Sequence, residues 1–142
     1  MDKNRQPIIK AIAQELDCGF DCWYHPQTGE LLTIPGLSYS LDKDDFREAF
    51  KETLERIASQ KKELIKFEAL KPFESFRIME AFVRQLPDSK LQAELEIILA
   101  HKKSFKNFKI AINLSNYRAC WFNFKQEELE KIVEIQLRSS LG

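Results

Sequence analysis

The hydrophobic period of this chain changes character at Pro72, and that change constrains the fold more than any other feature of the sequence. Before Pro72, short runs of alternating apolar residues are interspersed with helix-like stretches. After it, every apolar repeat follows helical spacing. A chain patterned in this way is expected to be α+β, with a small three-stranded antiparallel sheet in the N-terminal half, packed by helices, and a mainly helical C-terminal half.

The early elements follow from local chemistry. Pro7, Ile8, Ile9, Ile12 and Leu16 predict a short helix ending between Asp17 and Gly19, because a proline in the first helical turn gives up no bonded donor. From Phe20 to Tyr24 the period falls to two: Phe20, Cys22 and Tyr24 share one face, while Asp21, Trp23 and His25 share the other. The run from His25 to Glu30 supplies Pro26 and Gly29 for a turn, and Leu31 to Ile34 returns as the second strand of a hairpin. Asp42, Asp44 and Asp45 precede Phe46, Phe50, Thr53, Leu54 and Ile57, which predicts a second helix running to about Ser59. Leu64 to Ala69 alternates again and is expected to add a third strand. Two strands alone are marginal in water, whereas three with helical cover are viable. Trp23 is expected to lie beneath the long C-terminal helix.

In the second half, Phe76, Met79, Phe82, Val83 and Leu86 form one stripe, and Pro87 with Asp88 ends it. Ser89 and Gln92 have the spacing of a capping box for a helix carrying Leu91, Leu95, Ile98 and Leu99. Phe105, Phe108 and Ile112 predict a shorter helix, Asn113 to Asn116 a break, and Phe122, Leu129, Ile132, Val133 and Leu137 a final helix.

The chain has 142 residues, which fits one domain spanning 1–142 that hides roughly 70% of its unfolded surface. Eleven Phe, two Trp and three Tyr exclude a disordered chain. No apolar run is long enough to span a bilayer, and Met1 to Gln6 leads into a helix pattern interrupted by Lys10 and Gln14 in place of a signal-peptide core, so a cytoplasmic location and no membrane partner are expected. An odd number of cysteines, Cys18, Cys22 and Cys120, then favours reduced thiols.

Charge carries the main functional signal. The chain is neutral overall, yet residues 101–126 hold Lys102, Lys103, Lys106, Lys109, Arg118 and Lys125 and no acidic residue, leaving the remainder acidic. Aromatic residues are interleaved with these cations, and cations that neutralise phosphates beside rings that stack on bases are what a single-stranded nucleic-acid surface requires. A basic groove for an acidic protein partner has the same composition. The candidate surface comprises Lys102, Lys103, Lys106, Lys109, Tyr117, Arg118, Trp121 and Lys125, with Tyr117 or Trp121 as the stacking or anchoring ring. The plainer alternative makes Phe105, Phe108 and Phe122 core residues and leaves the lysines to solvate an outer face.

Other constellations are weaker. Cys18, Cys22 and His25, with Cys120, could supply zinc ligands, but strand alternation turns Cys22 away from His25, so no metal is expected, and no cofactor. Asp21, His25 and Glu30 around the hairpin would serve a small hydrolase or transferase, with Asp21 and Glu30 near each other across the strands. No phosphate loop, dinucleotide fingerprint or hydrolase motif supports them. A homodimer burying Trp23 or part of the final helix is a third reading.

Tyr24 with Thr28-Gly29-Glu30, Phe76 to Glu80 with Phe82, Phe105 with Phe108-Lys109, and Trp121-Phe122 with Phe124-Lys125 stand in order as successive blocks over residues 20 to 136. In these blocks the chain resembles a bacterial group, Uncharacterised Protein Family 0158. The resemblance implies a small bacterial cytoplasmic protein and brings no activity, cofactor or catalytic residue. The cationic segment in an otherwise acidic chain makes the expectation a non-enzymatic binding or regulatory module whose working surface is the basic, aromatic-rich region from Lys102 to Lys125.

Overall fold

The computed structural model describes residues 5–36 and 43–141 of the chain. They pack as two compact units, one formed from Met1–Leu70 with Leu129–Gly142 and the other from Lys71–Glu128.

The first unit contains the sheet. It opens with α1 (Gln6–Asp17), then β1 (Phe20–Tyr24), β2 (Leu31–Pro35), α2 (Lys43–Ala49), α3 (Lys51–Ser59) and β3 (Ile65–Phe67). Residues from Leu129 onward in the last helix complete it. β1 lies centrally and pairs antiparallel with both neighbours, in the order β2-β1-β3. Cys22 stands opposite Thr33 on one side and Phe67 on the other. The hairpin, the third strand and the α+β architecture are as the alternation predicts.

Each sheet face is covered by a different set of helices. Cys22 and Phe67 are fully buried in a cluster with Ile9, Ile12, Ala13 and Leu16 of α1 and with Leu129, Val133 and Leu137. The opposite face carries Leu32 and Ile34, which pack with Ile57 of α3 and with half-buried Trp23, Phe50, Leu54 and Leu64. The expectation that the C-terminal helix covers Trp23 is therefore corrected: α3 does. The continuous apolar stripe of the last helix matches the face that also takes α1, while the smaller stripe of α3 suffices for the face where Lys66 lies 5.4 Å over the Trp23 ring.

Two local departures have backbone causes. The second predicted helix is split, because Phe50 leaves helical geometry at φ −114° and ψ 20° and caps α3. Asp42 lies outside the described residues, as do the side chains of Asp44 and Phe46. Gly36 donates its N–H to the Gly19 carbonyl at 2.8 Å, and a Cβ at Gly36 would stand 3.0 Å from that oxygen, a tight contact that glycine avoids.

The second unit is helical: α4 (Pro72–Arg84), α5 (Ser89–Leu99), α6 (Ser104–Asn113) and the opening of α7 (Arg118–Leu141), as far as Glu128. Phe82 is the centre of a ring cluster, 5.3 Å from Trp121 and 5.4 Å from Phe124 between centroids. Phe108 meets Trp121 at 4.9 Å. The cap of α5 is Asp88 in place of the expected Ser89, with Oδ1 accepting from the N–H groups of Lys90 and Leu91 at 3.1 and 3.0 Å. Gln92 turns back instead, and its Nε2 donates to the carbonyls of Val83 and Arg84, satisfying the open end of α4. Among the described residues no helix is long and apolar enough to cross a membrane.

Candidate binding surface

The turn between α5 and α6 sets up the surface. His101 Nδ1 lies 2.6 Å from the Ile97 carbonyl at the end of α5, a contact that requires the imidazole to donate. Lys103 then adopts a left-handed conformation, φ 60° and ψ 34°, and α6 begins. Phe108 and Ile112 are one turn apart and both buried, which fixes the inner side of α6. Lys106 and Lys109 fall on the outer side and are exposed, as are Lys102 and Lys103 on the turn. None of these four lysines forms an ion pair with a described residue.

The opening of α7 adds a second group of cations. Arg118 lies 4.7 Å and Lys125 4.9 Å from the centroid of Phe122, four residues before it and three after, the spacings that bring helical side chains together. Arg118 Nε also donates to Asn113 Oδ1 at 3.2 Å, which ties the start of α7 to the end of α6. Lys125 stands 5.7 Å from the Trp121 ring. Trp121 itself is only 4% exposed, so its expected role as a stacking platform is corrected: packing against Phe82 and Phe108 occupies the ring. The accessible phenylalanine rings of the segment are Phe122, at 39%, and Phe105, at 36%.

Tyr117 is half-buried and lines a cleft of about 260 Å³ with Leu91, Leu114, Asp88, Lys90 and Glu94. Its N–H donates to Ser115 Oγ at 3.1 Å, which holds the turn between α6 and α7. Two members of the surface had escaped the sequence reading, Ile110 and Leu114, which are 50% and 83% exposed. Their signal was present, since Ile110 lies two residues from both Phe108 and Ile112 and must point away from a face that those two define.

The hairpin residues are each committed elsewhere. Asp21 Oδ1 accepts from Ala69 N–H at 2.8 Å. His25 is buried, and its Nδ1 faces the N–H groups of Gln27 and Thr28 at 3.2 and 3.3 Å, closing the turn. Glu30 pairs with Arg56 of α3. Register also separates the two carboxylates: Asp21 stands opposite Ile34, while the Glu30 carbonyl accepts from His25 N–H. The expected proximity of Asp21 and Glu30 is thus corrected, because with Tyr24 opposite Leu31 the residue facing Asp21 is Ile34, four positions beyond Glu30.

Among the described residues no three His, Cys, Asp or Glu side chains come together to hold a metal ion. Cys18 and Cys120 are exposed and stand outside any disulfide. Burial, reinforced by the charges of Glu15 and Asp21, pushes the Cys22 thiol up to about 12, which keeps it protonated and a poor ligand.

A three-stranded sheet covered by helices, joined in sequence to a helical unit with a cationic outer face, defines the chain as a small α+β protein. It belongs to the uncharacterised protein family (UPF0158), whose profile it matches over residues 4–140. No curated protein and no solved structure shows significant similarity to it.

Proposed function

We propose that this chain is a non-enzymatic binding or regulatory module of the bacterial cytoplasm, and that its working surface is the cationic face formed by the α5–α6 turn, α6 and the opening of α7. The partner is anionic. The observation that carries the proposal is the set Lys102, Lys103, Lys106 and Lys109: four exposed ammonium groups within eight residues, unpaired with any described carboxylate. Lys106 and Lys109 are three residues apart on α6, a spacing that puts their Cβ atoms about 5–6 Å apart, inside the Debye length of about 8 Å at physiological salt, and with Lys102 and Lys103 just before the helix they raise a positive potential that an anionic partner relieves.

Salt dependence tests this directly. Four phosphate contacts on a single strand imply a slope of about −3 in log affinity against log salt, a roughly fiftyfold loss between about 50 and 200 mM salt. The intact chain is titrated into labelled oligo-dT and, separately, labelled poly-glutamate. Binding to at least one polyanion is expected, weakening steeply with salt and by about tenfold in Lys106→Gln/Lys109→Gln. Absence of salt-sensitive binding to both, or binding indifferent to the lysine variant, removes the proposal.

A further inference from the structure

The cationic face of α6 runs on into an apolar one. Lys106, Ile110 and Leu114 recur every four residues, and Leu114, at φ −85° and ψ −8°, keeps the helical course as the C-cap. The three side chains therefore stand in one row, about 12 Å long, on the side of α6 away from Phe108 and Ile112. Leu114 also forms a wall of the cleft whose other apolar walls are Leu91 and Tyr117. Ile110 and Leu114, 50% and 83% exposed, form an apolar strip that continues into the cleft at Leu114 and that an apolar occupant would cover.

A nucleic acid is a poor occupant for this row. Aliphatic side chains offer no ring for a base to stack on. The nearby rings lie off the row: Trp121 is buried, Phe122 belongs to α7 and has Arg118 and Lys125 near it, and Phe105 falls on the Phe108 side of α6, 6.3 Å from Phe76. A helix that carries an i, i+4 apolar pair and carboxylates a turn away matches the row position for position.

We infer that α6 docks an acidic amphipathic helix of a partner protein, with its apolar pair against Ile110 and Leu114 and its carboxylates against Lys103, Lys106 and Lys109. The inference rests on the anionic-partner reading and names the partner class. Charge sets the direction of docking as well. Asp88 and Glu94 outnumber Lys90 at the cleft, so the acidic residues of the partner are favoured at the lysine end of the row.

The probe is a phage-displayed library of short helical peptides, selected on the intact chain with counter-selection on Ile110→Ser/Leu114→Ser. Enriched sequences are expected to be acidic and to carry an i, i+4 apolar pair. Synthetic copies should lose about tenfold or more in affinity for Ile110→Ser/Leu114→Ser and for Lys106→Gln/Lys109→Gln. Labelled oligo-dT, titrated in parallel, should respond to the lysine variant and ignore the serine variant. Enriched peptides without net negative charge, or indifferent to the serine variant, overturn the inference. If no peptide is enriched while oligo-dT still binds in a salt-sensitive way, helix docking fails and the anionic-partner reading stands. If no peptide is enriched and neither oligo-dT nor poly-glutamate binds, both fail. Leu114→Gln, at the most exposed position, repeats the comparison should the double variant unfold.

Discussion

Phe82 and Trp121 meet edge to face, with ring centroids 5.3 Å apart and planes inclined by 62°. The indole is thereby enclosed in the helical unit, while the adjacent Phe122 keeps an accessible ring between two cations. Two neighbouring aromatic residues thus have opposite duties. Trp121→Ala is expected to cost about 3–5 kcal/mol through lost transfer energy and a residual cavity, and Phe122→Ala less than about 1 kcal/mol. Denaturant unfolding of the two variants measures the difference, and equal losses would contradict the placement of the rings.

Cys22 should behave as a structural thiol. Its folded value, about 12, lies above the ordinary 9.0, so its contribution to stability is intact below pH 9 and is lost as the pH rises from 9 through 12. At pH values just below 9, a thiol reagent is expected to label Cys18 and Cys120 rapidly and Cys22 only after unfolding. Rapid labelling of all three sites in the folded protein would refute this.

Lys103 holds a left-handed backbone that a Cβ makes unfavourable. Lys103→Gly removes that penalty but adds chain entropy to the unfolded state, so the expected net change is a gain of up to about 1 kcal/mol. The same variant loses one cation of the proposed surface, and polyanion affinity should fall. Thermal unfolding and oligo-dT titration of one preparation read both effects; a destabilised variant would mean that the lysine side chain supports the turn.

At the sheet, Asp21 is expected to act through its bond to Ala69. Asp21→Ala leaves that N–H without its partner and should cost about 1–3 kcal/mol, much of which Asp21→Asn should restore because the amide oxygen still accepts. Glu30→Gln, by contrast, breaks only a partly exposed ion pair with Arg56 and should cost less than about 1 kcal/mol. Urea midpoints of the three variants, compared under one buffer, decide between these rankings.

The sequence alone determined the features that local chemistry controls. Alternation at Phe20, Cys22 and Tyr24, the turn residues Pro26 and Gly29, and the helical stripes beyond Pro72 specify elements and their order, because each depends on residues within a few positions. The cationic segment was equally legible, since a charge count needs no coordinates. Tertiary structure decided the rest. Trp23 and Cys22 are adjacent in β1, but which helix covers each face depends on how distant stripes match in size. Trp121 and Phe122 read as one aromatic run, yet a 100° step on a helix puts one among Phe82 and Phe108 and the other in solvent. The outward row of Lys106, Ile110 and Leu114 emerged only when Phe108 and Ile112 claimed the inner side of α6. Burial is a property of what packs against a residue, and those partners lie far away along the chain.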